Sequence, residues 1–179
     1  YPQRHYGMDH DRYEWSMLQD RKPVAWPGGK PLALWINISV QHFPLSGDKP
    51  AVPPPGALTM PYPDLRHYTL RDYGNRVGVY RLLKLMAEYE ASPSLAISGA
   101  LAERYPQLLA RLAQTPYEWL GHGWNMLCMH AGEVDADSEA GWIADSRQAL
   151  EQFTDRPIKG WLGPGRLQTA NTPELLMKN

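Results

Sequence analysis

"LALWINISV", residues 32–40, is the stretch on which the fold class turns. It is a continuous apolar run with β-branched residues, bounded upstream by the turn signal "PGGKP". Such a run fits a strand buried on both faces, the condition met in a parallel sheet. Upstream, residues 1–31 are polar, aromatic and rich in turn signals, and read as an arm preceding the domain of 32–179. Downstream, residues 44–63 are proline-rich and exclude helix or central strand. A loop of that length is either a lid over a site or a surface excursion.

Helical and strand patterns then alternate. Val79, Leu82, Leu83, Met86 and Tyr89 recur at helical spacing within 75–90. "SLAIS" (94–98) is a short apolar run. A helix over 99–114 points Leu101, Tyr105, Leu108, Leu109 and Leu112 inward, with Pro106 forcing a break near Tyr105. "YEWLGHG" (117–123) reads as a strand ending in a glycine turn. Residues 137–154 form a helix with Ile143, Leu150 and Phe153 inward, and 156–165 hold a fourth short strand. A last helix starts near Asn171 or Thr172, with Pro173 in its first turn. Strands alternating with helices imply βα units on a parallel sheet. Right-handed crossovers leave two outcomes, an open doubly wound sheet or a barrel. In both, ligands gather at the C-terminal ends of the strands.

Those ends carry a common chemistry. The first offers Ser39, Gln41 and His42; the second Ser98; the third His122, Trp124 and Asn125; the fourth leads to Arg166. Composition narrows the partner. Net charge is −1 over 179 residues, with no basic stripe, so nucleic acid and anionic membrane surfaces are not favoured. No apolar run spans a bilayer. The single cysteine, Cys128, cannot form an internal disulfide, so a cytoplasmic protein is expected. Seven tryptophans and ten tyrosines suit a pocket for a ring-like or polyhydroxylated ligand, or else fill interfaces and core edges.

Taken jointly, five segments resemble the polysaccharide deacetylases of the nodulation-protein-B type. They are "WPGGKPLALWINISVQHFPL", "YPDLRHYTLRDYGNRVGVYRLLKLM", "SGALAERYPQLL", "EWLGHGWNM" and "GWLGPGRLQTANTPELL". The likeness is greatest to the branch containing metal-independent allantoinase and cyclic-imide hydrolase. The resemblance implies a distorted (β/α) barrel of seven or eight strands. With four strands found, the chain supplies roughly the first half. A second chain or further polypeptide would complete it. It also implies hydrolysis of non-peptide carbon–nitrogen bonds, by deacetylation of a carbohydrate-like amide or opening of a cyclic amide. The alternative is an inactive member that binds or serves as a subunit.

The metal-dependent members of that family use an acidic pair after the first strand and a His-x-x-x-His motif after the third. Here His122 keeps the first histidine place, but Met126 stands four residues on, and Ser39 and Gln41 hold the acidic places. A thioether is a poor ligand for hydrolytic zinc. Neither serine nor glutamine supplies a general base. Two arrangements remain open. His42 and His130 could join His122 to hold zinc, with His122 and His130 as the nearest pair. Alternatively, a metal-free site could use His42 or His122 as base. Gln41, Arg76, Asn125 and Arg166 would then serve as donors to the substrate, flanked by Tyr73 and Trp124. Plainer roles compete: Arg76 pairing with Asp72 at a helix start, and Arg166 bonding loop carbonyls. In "RDYGNRVG", Gly74 is expected to make a tight turn that aims a helix N-terminus at the substrate.

Overall fold

The first strand, β1, covers Asn37–Val40 in the computed structural model, which describes residues 13–45, 63, 65–132 and 134–179. The apolar run therefore does not form one strand. Leu32, Leu34 and Trp35 are exposed, and within β1 only Ile38 and Val40 are buried. The expectation of burial on both faces fails because of alternation. Successive side chains point to opposite sides of the sheet, and Asn37 and Ser39 share the other side. Most of the proline-rich loop, residues 46–62, lies outside the described residues, and so does the lid expected there.

Three more strands follow: β2 (Ser94–Ile97), β3 (Glu118–Gly121) and β4 (Gly160–Trp161). All pair in parallel, in the order β1-β2-β3-β4. Each new strand is added on the same side of its predecessor, as in a barrel. A doubly wound sheet reverses that direction at a switch point. The chain thus has a partial (β/α) barrel. No helix among the described residues is long and apolar enough to cross a membrane.

The helices are α1 (Leu65–Tyr73), α2 (Val79–Glu88), α3 (Leu101–Arg104), α4 (Pro106–Ala113), α5 (Ala136–Glu151) and α6 (Thr172–Lys178). Side chains of α2, α3, α4 and α5 pack on one face of the sheet. Ile38, Val40, Leu95, Ile97 and Trp119 join Leu101, Leu108, Leu109, Leu112 and Leu150 in a single core. Tyr105 makes the expected break, leaving the helical region at φ −137 with Pro106 opening α4. Asp135 caps α5 by accepting from the Ser138 N–H at 2.8 Å. Thr172 does not cap α6; its hydroxyl donates to Glu139 instead.

Two expectations are corrected on the first helices. α1, which has no buried residue, leaves no apolar stripe for periodicity to reveal. Gly74 does not make a tight turn. It opens a wide π-turn, Gly74–Gly78, which runs directly into α2, so no helix N-terminus faces the strand ends there. On α2, Val79 is buried and Leu83 and Met86 pack on the core, whereas Leu82 and Tyr89 are exposed.

Two compact units divide the chain, Tyr1–Leu34 and Trp35–Asn179. In the first, short 3-10 turns cover Leu18–Asp20 and Pro27–Gly29, and the Arg21 guanidinium donates to the Ser16 carbonyl at 2.5 Å.

Candidate active site

Register arranges the inner face of the sheet in rows. Asn37, Ser94 and Glu118 are level, as are Ser39, Ala96, Leu120 and Gly160. Continuing the ladder gives a top row of Gln41, Ser98, His122 and Leu162. The backbone bonds Ser98 N–H to Val40 (3.0 Å), His122 N–H to Ile97 (3.0 Å) and Leu162 N–H to Gly121 (2.9 Å) extend it. Period-two alternation therefore sends His122 to the same side as Leu120, away from Trp119 and the helices. The histidine expected at a strand end is at one, on the barrel side.

His122 is almost fully buried, at 2% exposure. Its Nδ1 lies 2.5 Å from the Leu162 carbonyl oxygen, which can only accept, so Nδ1 carries the proton. Its Nε2 lies 2.9 Å from the Gln41 amide nitrogen and is left as the acceptor. Burial pulls the imidazole below its ordinary basicity, with the Leu162 carbonyl opposing. His122 is thus a neutral imidazole of fixed tautomer whose lone pair is capped by Gln41.

Gln41 is itself anchored. The side-chain amide of Asn75 donates to the Gln41 main-chain carbonyl at 2.8 Å. Asn75 is the buried residue of the π-turn. The sequence gives no sign of it, because an asparagine between a glycine and an arginine looks like turn punctuation. Neighbouring bonds tie the other strand ends together. The Met126 N–H donates to the His42 carbonyl at 2.9 Å, and the His42 N–H reaches the Ser98 hydroxyl at 3.4 Å. His42 is half-buried; burial and the Arg104 cation pull its basicity down, while Asp72 opposes.

The expected donors divide. Arg76 is paired, donating to Asp72 at 2.5 Å, which realises the plainer role foreseen for it. The Tyr105 hydroxyl also donates to Asp72. Burial pushes the Asp72 carboxyl up, but Tyr105 and Arg76 outweigh it and hold the group ionised. Burial first, and then Asp72 and Tyr68, push the Tyr105 phenol up to about 12. Asn125 also has a structural task, its side-chain oxygen accepting from the N–H groups of Leu127 (2.8 Å) and Cys128 (3.2 Å). Trp124 is half-buried and its ring lies against Gly99. Tyr73 is half-exposed, with the Arg81 guanidinium 6.0 Å above its ring. Arg166 is exposed on the turn after β4, at φ 61.

His130 belongs to a different cluster. Its Nδ1 donates to Glu139 at 2.9 Å, and its ring sits between Trp142 (6.0 Å) and Trp161 (5.7 Å). Trp161 in turn covers Gly121, where an added Cβ would lie 2.4 Å from the indole. Gly121 faces the helices, so His130 lies on the helix side of β3 and His122 on the barrel side. Glu139, fully buried, also accepts from Thr169 at 2.6 Å and from Thr172. Burial pushes its carboxyl up, yet the two threonines and His130 outweigh that and hold it ionised.

A family-type metal site does not fit this arrangement. Both His122 nitrogens are engaged, His130 faces the other side of the sheet, and Met126, fully buried, supplies only a thioether. Among the described residues no three His, Cys, Asp or Glu side chains group closely enough to hold an ion.

No family model and no curated protein matches this sequence. Solved structures do. The PuuE allantoinase superposes with a TM-score of 0.75 at 23% identity, over 94% of this chain and 58% of its own. A probable polysaccharide deacetylase from Pseudomonas aeruginosa PAO1 gives 0.74 at 23%, over 89% and 56%. A putative polysaccharide deacetylase from Mycobacterium smegmatis gives 0.67 at 25%, over 88% and 52%. A CE4-family pseudoenzyme from Bacillus anthracis is also similar, at 0.54 and 10% identity, over 59% and 36%. The chain spans a little over half the length of the first three, and it shares their fold.

Proposed function

We propose that this chain, a partial barrel of the polysaccharide deacetylase and allantoinase type, hydrolyses a non-peptide carbon–nitrogen bond in a linear or cyclic amide, with His122 as the base. The observation that carries this reading is the fixed, neutral imidazole at the end of β3. An imidazole with Nδ1–H held by a carbonyl offers Nε2 to a water proton, and its low basicity keeps it unprotonated near neutral pH. For water to reach Nε2, the Gln41 amide must leave it. A substrate carbonyl that takes the Gln41 N–H would free Nε2 and be polarised in the same event. The water oxygen then bonds to the carbonyl carbon while its proton passes to Nε2. The imidazolium returns that proton to the nitrogen as the C–N bond breaks. His42, Arg166, Trp124 and Tyr73 would line the approach. No step needs a metal from these residues; zinc held by His122 would require Gln41 to move and further ligands to be supplied.

The second reading is a non-catalytic binding or subunit protein. The Gln41 cap on Nε2 favours it, since Ser39, Gln41 and Met126 stand where the family's carboxylates and second histidine would be. In either case we propose that further polypeptide, following in the same chain or supplied by a second one, completes the barrel. The unpaired outer edges of β1 and β4 among the described residues, and the half-length match to solved relatives, support that. A cytoplasmic setting is in keeping with Cys128 as a free thiol.

The test is turnover of two substrate classes, N-acetylated oligosaccharides and hydantoin- or dihydropyrimidine-like rings, with and without added zinc. Ring opening that persists in chelator and is lost in His122→Ala supports the first reading. Binding of either class without turnover supports the second. Turnover that survives His122→Ala overturns His122 as base.

A further inference from the structure

We infer that Asn75, on the π-turn between α1 and α2, is a positioning residue that sets the accessibility of His122 Nε2 by fixing the main chain of Gln41. The inference rests on the reading of His122 given above, and it extends that reading to a residue outside the strand ends.

The chain of contacts is continuous. Asn75 Nδ2–H donates to the Gln41 carbonyl at 2.8 Å, the Gln41 amide nitrogen meets His122 Nε2 at 2.9 Å, and His122 Nδ1–H donates to the Leu162 carbonyl at 2.5 Å. Three bonds therefore link the turn, the end of β1, the end of β3 and the end of β4. Gln41 lies one residue beyond β1, so the strand ladder alone does not fix its backbone. The Asn75 bond is the one that the π-turn adds. A five-residue turn is wider than an α-turn, and it places Asn75 at 8% exposure between neighbours, Gly74 and Arg76, that are exposed. Such turns recur where a helix must aim one side chain at a site. An added Cβ would meet nothing within 4 Å at Gly74 and only the Tyr73 carbonyl oxygen, at 3.8 Å, at Gly78, so the two glycines are not there to relieve crowding. The Asn75 amide also has the only chemistry for the task at this length. A carbonyl acceptor needs a donor, so an aspartate of equal shape cannot replace it near neutral pH.

The test is nitrogen-15 NMR of the imidazole of His122 in the purified chain, a readout that needs no turnover. In the unaltered protein the ring should show one protonated nitrogen, Nδ1, and one bare nitrogen, Nε2, as a single tautomer. In Asn75→Asp the Nε2 signal should shift as the Gln41 amide leaves it, while Nδ1 stays protonated on the Leu162 carbonyl. Asn75→Ala should do the same. If the reading of His122 as base holds, kcat should also fall, on the order of tenfold or more, with KM little changed. Unchanged His122 signals in either folded variant overturn the inference. Should both variants fail to fold, the unaltered protein decides. The side-chain amide protons of Asn75 should exchange slowly with solvent, and exchange at the rate of a free asparagine overturns the inference. Absence of any turnover would defeat the catalytic reading while leaving the Nε2 result to stand or fall by itself.

Discussion

His122 and Gln41 show how one side chain can both protect and suppress another. Gln41 donates to Nε2, so the neutral ring is satisfied while buried. Replacing that amide by a carboxylate reverses the preference, because two acceptors facing each other need a proton between them. Gln41→Glu should therefore raise the His122 pKa, measurable by NMR titration; an unchanged or lower value would mean that the two side chains do not meet. Glu139 is the opposite case, a buried anion with three donors. Glu139→Leu takes away the acceptor shared by two hydroxyl protons and the His130 N–H, at a cost of roughly 2–5 kcal/mol, to be read from urea unfolding. The sequence marks His130 as a candidate ligand and gives no sign of Glu139, because nine residues of separation across a loop and a helix start give no periodic signal.

At the scale of elements, size complementarity between β3 and β4 holds the strand end that carries His122. Trp161 lies over Gly121, and Leu120 lies over Gly160, where an added Cβ would be 2.3 Å from Leu120 Cδ2. Gly121→Ala should push the Trp161 indole off the sheet at a cost of about 1–3 kcal/mol, seen as a lower midpoint in thermal unfolding and a blunted near-ultraviolet tryptophan signal. The parallel sheet, the break at Tyr105 and the placement of His122 at a strand end were all legible in the sequence, since each has a local cause: apolar runs, a proline, a glycine turn. α1 and the π-turn were not. A helix with no buried face has no period to read, and the bond that the widened turn gives Asn75 reaches a carbonyl 34 residues earlier in the chain. Asn125 and Arg76 are the local case: their partners lie two to four residues away, and the Arg76–Asp72 pair is one that the spacing itself offers.

For the molecule as a whole, burial of neutral imidazoles gives stability a pH dependence of definite sign. His42, His122 and His130 all have folded pKa values below the ordinary 6.5, so the unfolded chain binds protons first as pH falls. Their contribution is complete above about pH 6.5 and is lost below it. Glu139, held below its ordinary 4.5, adds a second loss at still lower pH. Unfolding free energy should accordingly be flat near pH 7.5 and fall on descent through pH 6; a rise over that interval would contradict the burial of these groups. The sheet order adds a consequence in time. Because β1, β2, β3 and β4 stand in space as they stand in sequence, every strand meets its partner without waiting for a later segment. Assembly can keep pace with synthesis, each βα unit docking on the one just made, with loop closures kept short.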